Sequence, residues 1–165
     1  MTKGHTIPTA ILVFGAPKSG KTTFARKFSS SLGAPYLNFN DLSQKYNLDP
    51  ALAKELIAQI AKSHATLVIE GMLDTEAKRK EVRDLLKKSG YLTVLIWIQT
   101  DLNTIKQRIL KSKGDDLKKS KQYFETAYAG LEAPSINEKP LVISGKHTYR
   151  AQCKNVISRL KEHRI

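Results

Sequence analysis

Eight consecutive residues near the amino terminus, Gly15-Ala16-Pro17-Lys18-Ser19-Gly20-Lys21-Thr22, satisfy the pattern G-x-x-x-x-G-K-[ST] in full. They follow a short apolar run, Ile11-Leu12-Val13-Phe14, and lead into Lys21 to Leu32, where Phe24 and Phe28 share one helical face. A strand, a glycine-bounded loop and a helix in that order form a cradle for phosphate, and each part has its own physical task. Gly15 and Gly20 permit backbone angles and close approaches that a side chain would block, so the loop through Ala16, Pro17, Lys18 and Ser19 can turn its N–H groups inward. The helix beginning near Lys21 adds the positive end of its dipole. Lys21 brings a mobile charge to the outer phosphates, and Thr22 offers a hydroxyl to the Mg²⁺ that accompanies them. Thr23 and Lys18 are accessory contacts. The expected ligand is a nucleoside triphosphate, ATP in first place, with Mg²⁺ as its companion.

The remainder of the chain alternates strands and helices. Strands are predicted at Tyr36–Phe39, Thr66–Ile69, Leu92–Ile98 and Leu141–Ile143, the longest reading as a central strand buried on both faces. Between them, Asp49 and Pro50 signal a helix start with Leu52, Leu56, Ile57 and Ile60 on one face. Thr75–Ser89 reads as a charged helix ended by Gly90, with Val82, Leu85 and Leu86 inward. Helices follow over Leu102–Lys111 and Leu117–Leu131, separated by a break at Gly114-Asp115-Asp116, and a last one runs over Tyr149–His163. Alternation of this kind requires crossover connections and hence a parallel sheet covered on both sides. The expected fold is α/β, a three-layer P-loop nucleoside triphosphate hydrolase/kinase fold with a five-stranded parallel sheet. A single P-loop kinase domain is expected over 1–165, with a short N-terminal tail at 1–9 and a lid with its following helix at about 105–131.

Composition narrows the function. The 165 residues include one cysteine, Cys153, so no disulfide framework or cysteine metal site can form, and His5, His64, His147 and His163 are too scattered for a local zinc motif. No apolar run is long enough to cross a membrane, and Met1–Thr9 has no signal-peptide core, so a cytoplasmic location is expected. Lys and Arg total 28 against 15 Asp and Glu, a net charge of +13 that makes nucleic acid a candidate partner. Lysine outnumbers arginine 21 to 7, however, and a spread of lysine also suits a merely solvated surface. No obligate protein partner is evident.

Ligands of parallel sheets sit beyond the carboxyl ends of the strands. There the chain places Gly15, Asp41, Glu70, Gln99 to Asp101, and Ser144 to Lys146. Strand Leu67 to Ile69 runs into Glu70-Gly71 rather than a tandem acidic pair, and no Asn-Lys-x-Asp segment for guanine is present, which leaves a small kinase ahead of a motor or switch.

With these residues in place, the arrangement resembles the P-loop kinase group that includes polynucleotide 5′-hydroxyl kinases, the zeta-toxin and chloramphenicol phosphotransferase relatives, and gluconate and shikimate kinases. The resemblance implies that Asp41 accepts the proton of an attacking hydroxyl and that Glu70 is a Walker-B-type carboxylate near Mg²⁺. It implies that Arg108 is a lid arginine, aided by Lys111 and Lys113, and that Ser144, Gly145 and Lys146 wrap the adenine base. In polynucleotide kinases an arginine often stands three residues after the aspartate; here that position is Gln44. Each residue also has a plainer reading: a helix cap for Asp41, a surface carboxylate for Glu70, an exposed helical face for Arg108, and a turn for Ser144 to Lys146. Tyr123, Phe124 and Tyr128 form an aromatic stripe suited to packing or to stacking on a base. The expectation is an ATP- and Mg²⁺-dependent kinase acting on an alcohol, a nucleic-acid or nucleotide 5′-hydroxyl first. A small metabolite or antibiotic is the alternative acceptor, and a nucleotide-dependent binding module or switch is the rival class.

Overall fold

Successive side chains of a strand point to opposite faces, and the first strand, β1 (Thr9–Phe14), divides its side chains between two cores. Ala10, Leu12 and Phe14 enter one apolar cluster; Ile11 and Val13 enter the other. The structure, a computed structural model, describes residues 7–63, 66–111 and 115–162. Most of the expected N-terminal tail, Lys113, the break at Gly114 and the helix end at His163 lie outside the described residues.

After β1 come α1 (Lys21–Leu32), β2 (Tyr36–Asn38), α2 (Phe39–Tyr46), α3 (Pro50–Ile60), β3 (Thr66–Glu70), α4 (Glu76–Lys88) and β4 (Leu92–Gln99). The chain continues through α5 (Leu102–Leu110), α6 (Asp115–Ala129), a 3-10 turn at Ile136–Glu138, β5 (Leu141–Ser144) and α7 (Tyr149–Glu162). The five strands pair in the order β2-β3-β1-β4-β5, all parallel. The central strand is thus β1, with the longer β4 beside it. On one face Phe39, Ala53, Ile57, Val82 and Leu86 bring α2, α3 and α4 onto the sheet. On the other, Phe24, Phe28 and Val156 bring α1 and α7, with the two phenylalanine rings 5.1 Å apart. Burying each such ring contributes roughly 1.5–3 kcal/mol. The expected three layers and five parallel strands are present.

Three local expectations change. The second strand stops at Asn38, because the Asn38 side chain accepts from the backbone N–H groups of Asn40 and Asp41 and so starts a helix at Phe39. In α3, Asp49 caps the helix through Leu52 N–H (2.8 Å) as expected, and Leu56, Ile57 and Ile60 face the core as expected, but Ala53 joins them and Leu52 is exposed. Of the aromatic stripe, Phe124 packs with Ala16, Ile105 and Ile109, whereas Tyr123 and Tyr128 remain largely exposed. Among the described residues no helix is long and apolar enough to cross a membrane.

Parallel pairing puts every strand's carboxyl end at one edge. Val13 and Asn38 each align with Glu70, Phe14 with Trp97, and Gln99 with Ser144. That edge gathers the loop after β1, the start of α2, Glu70 and the loop after β5.

Candidate active site

The loop from Gly15 to Thr22 has the backbone its sequence requires. A Cβ on Gly15 would lie 2.5 Å from the Ile98 carbonyl oxygen, and Gly20 holds φ at +101°, so both positions need glycine. Lys18 adopts a left-handed φ of 62°. Gly20 caps α1 without a side chain, leaving the first N–H groups of α1 for an anion. Ser19 is fully buried, and among the described residues its Oγ has no hydrogen-bond partner. Burial lowers the Lys21 pKa, opposed by Glu70 and then Asp74, and its Nζ donates to the Ala16 carbonyl at 3.3 Å. A triphosphate fits these features: it would satisfy an orphaned buried hydroxyl, uncapped amides and a desolvated ammonium group.

Glu70, at the end of β3, is almost fully buried. Thr22 Oγ1 donates to its Oε1 at 2.6 Å and the Tyr36 hydroxyl to its Oε2 at 2.6 Å. Burial, and then the bond to Glu70, raises the Tyr36 pKa, so its phenol stays protonated and donates. Thr22 and Glu70 therefore present hard oxygen atoms beside the phosphate loop, the donor type Mg²⁺ takes, with triphosphate oxygens and water to complete the shell. Among the described residues no cluster of His, Cys, Asp or Glu forms a separate metal cage.

Two cavities flank Lys21. One, of about 440 Å³, is lined by Lys18, Gly20, Thr22, Thr23 and Arg108 on the phosphate side and by Lys27, His147, Tyr149 and Gln152 farther out. Arg108 reaches across from α5: its Nη1 donates to the Lys18 carbonyl (2.8 Å) and its Nη2 to the Gly145 carbonyl (2.8 Å). It thereby ties the phosphate loop to the loop after β5. A Cβ on Gly145 would fall 2.0 Å from the Ser19 carbonyl oxygen, so only glycine passes there. The backbone of Ser144 to Lys146 is occupied internally: Gly145 N–H donates to the Gln99 carbonyl, Lys146 N–H to Ser144 Oγ, and Gln152 Nε2 to the Ser144 carbonyl. Lys146 itself turns to Asp101 (3.3 Å). The outer wall formed by Lys27, His147, Tyr149 and Gln152 left no mark in the sequence, since these residues converge from two ends of the chain.

The other cavity, of about 420 Å³, lies across Lys21 and is lined by Gly15, Pro17, Asn40, Ser43, Gln44, Asp74, Tyr123 and Thr126, among others. Asp41 is not among the lining residues. It stands in the first turn of α2 with its carboxylate 61% exposed and 3.7 Å from Arg26. The helix start at Phe39 accounts for this, because α2 places Asn40, Ser43 and Gln44 along the cavity and carries Asp41 away from it. Glu70 and Asp74 both act on Lys21, and the one that lines this cavity is Asp74, whose Oδ2 accepts from Lys78 Nζ at 2.6 Å and whose place was not foreseen from the sequence. Its one available signal was position: Glu70-Gly71-Met72-Leu73-Asp74 continues past the carboxyl end of a strand. Gly71 holds φ at +89°, and a Cβ there would meet the Asn40 backbone nitrogen at 2.8 Å, so glycine also lets α2 close against this loop.

A second feature unseen in the sequence fixes the Asp74 loop. Arg79, on α4 and fully buried, donates through Nε and Nη2 to the two Glu138 oxygens (2.7 and 2.9 Å). Its Nη1 donates to the carbonyls of Leu73 (3.0 Å), Asp74 (3.3 Å) and Glu132 (3.0 Å), and its guanidinium stacks 4.6 Å above the Phe14 ring. One side chain thus joins the loop after β3, the segment after α6 and the end of β1.

Comparison with known proteins agrees with this architecture. The chain is 22% identical to the thermosensitive gluconokinase of Escherichia coli K12, over 94% of this chain and 91% of that protein. In structure it is similar to a sugar kinase from Janibacter sp. HTCC2649 (TM-score 0.71, 17% identity, 93% of this chain and 94% of that one). It is also similar to the APS kinase CysC of Mycobacterium tuberculosis, solved with AMPPNP and APS (TM-score 0.63, 16% identity, 94% of this chain and 98% of that one).

 These relatives support the P-loop kinase superfamily expected above, and they do not single out its polynucleotide kinase or zeta-toxin branches. Residues 11–134, well over half of the chain, match the AAA_33 family, described as an AAA domain. The chain belongs to that family and has the α/β fold of the ATP-dependent P-loop kinases.

Proposed function

We propose that this protein is an ATP- and Mg²⁺-dependent kinase that transfers the γ-phosphoryl group to a hydroxyl of a small metabolite in the cytoplasm. The observation that carries this reading is the position of Lys21, which lines both cavities and so stands where a phosphoryl group would pass from one to the other. The loop amides and Lys21 hold the β- and γ-phosphates, and Arg108 neutralises charge from the α5 side. Thr22 and Glu70 would hold Mg²⁺, which supplies further charge neutralisation at the phosphate oxygens. Asn40 orients the acceptor, and Asp74 takes the proton of its hydroxyl as the new P–O bond forms and the bond to the ADP oxygen breaks.

The assignment of the base to Asp74 replaces the one expected for Asp41, on the ground that Asp74 shares a cavity with Lys21. The acceptor cavity has the volume of a small-molecule site, and the relatives named as gluconokinase, sugar kinase and APS kinase favour a small acceptor too. Both points put the metabolite ahead of a nucleic-acid 5′-hydroxyl. The test is incubation with γ-labelled ATP and Mg²⁺ against sugars, nucleosides and oligonucleotides. Label on a small acceptor supports the reading; ATP turnover with no labelled acceptor favours a nucleotide-dependent switch.

A further inference from the structure

We infer that the acceptor is an uncharged polyhydroxyl compound, of the sugar or nucleoside class, rather than a carboxylate or phosphate ester; this rests on the kinase reading above. The charged side chains lining the acceptor cavity are two among the described residues, Lys21 and Asp74. Lys21 is committed to the phosphate loop, and the Asp74 carboxylate accepts from Lys78 Nζ at 2.6 Å, so that acid and ammonium satisfy each other and neither is left to hold an anionic acceptor. The rest of the polar lining is Asn40, Ser43, Gln44, Tyr123 and Thr126. Amides and hydroxyls both donate and accept hydrogen bonds, which matches the hydroxyls of a polyol.

An anion would need a different wall. Carboxylates and phosphates are held by arginine forks or ammonium groups, because a desolvated charge without a partner is costly. The arginines of the neighbouring elements are engaged elsewhere. Arg26 turns outward to Asp41, Arg79 is locked on Glu138, Arg83 bonds Thr93 and the Glu138 carbonyl, and Arg108 lies across the phosphate loop on Lys18 and Gly145. Gln44, which lines the cavity, offers it an amide and no charge. A chain with a net charge of +13 has thus left its acceptor cavity without a free cation among the described residues.

The experiment uses the intact protein with MgATP and acceptor pairs that differ by one anionic group, a sugar against its aldonate and a nucleoside against its 3′-monophosphate. Phosphoryl transfer is read as kcat/KM, and MgATP binding is followed separately by calorimetry. The neutral member of at least one pair should be preferred by at least about tenfold. The sugar and nucleoside arms identify the class. Replacing Gln44 with arginine should move the ratio about tenfold toward the anion. If no pair shows that preference, because the anionic member is favoured, the two members react alike, or neither is phosphorylated while MgATP is bound, the inference is overturned and nucleotide binding is left standing. Absence of MgATP binding overturns the kinase reading itself.

Discussion

Thr22 Oγ1 and Glu70 Oε1 lie 2.6 Å apart, joining the first turn of the phosphate-loop helix to the end of β3, and the Tyr36 hydroxyl holds the other Glu70 oxygen at the same distance. Three elements distant in sequence thus fix one buried carboxylate. Partners of this kind tune metal affinity through the residue they orient. Tyr36→Phe should raise the Mg²⁺ concentration for half-maximal activity by roughly 10-fold and leave metal-free ATP binding as it is. A Mg²⁺ titration of the rate, paired with calorimetry in chelator, makes the comparison; an unchanged Mg²⁺ requirement would remove Tyr36 from the site.

The two candidate bases separate by substitution. Asp74→Asn should lower kcat by about 10²–10⁴-fold while MgATP affinity stays near wild type, and Asp41→Asn should keep most of the activity. Steady-state kinetics on the same acceptor decide between them. A larger loss at Asp41 would return the role to α2.

Arg108 bonds two carbonyls across the phosphate loop, and its charge sits beside the cavity proposed for the triphosphate. Arg108→Ala should cut turnover by about 10²-fold with a much smaller effect on nucleotide affinity. Equal losses in both would mean that the arginine only braces the loop.

Glu138 and Arg79 predict a dependence of stability on pH. Burial works to raise the Glu138 pKa, but the hydrogen bonds from Arg79 and the Ser135 N–H, with the charges of Arg79 and Arg83, outweigh it and hold the carboxyl below its ordinary 4.5. A depressed folded-state pKa gives stability that is present above the unfolded value and lost as pH falls through the folded one. Stability should therefore drop as pH falls below about 4.5, and Glu138→Gln should flatten that part of the profile. At neutral pH the same substitution leaves the buried Arg79 charge uncompensated and should cost about 3–5 kcal/mol. Urea denaturation across pH reads both effects, and an identical acid slope in the two proteins would count against the pair as its source.

The phosphate loop, the alternation of strands and helices, and the strand ends that carry Gly15 and Glu70 are all legible in the order of residues. These are local properties: glycine spacing, hydrophobic period and the lysine and threonine that follow the loop are read within a few residues of one another. Capping at Asn38 was local too, yet it competed with an apolar run that reads equally well as strand, and its outcome put Asn40 on the cavity and Asp41 off it. Which side chains meet is a property of the folded chain. Tyr36 reaches Glu70, Arg79 crosses to Glu138, and Asp74 comes to the cavity beside Lys21 because parallel strands deliver remote loops to one edge of the sheet. No periodicity encodes such meetings, since each depends on the strand order and on the packing of α2, α4 and α6 above it.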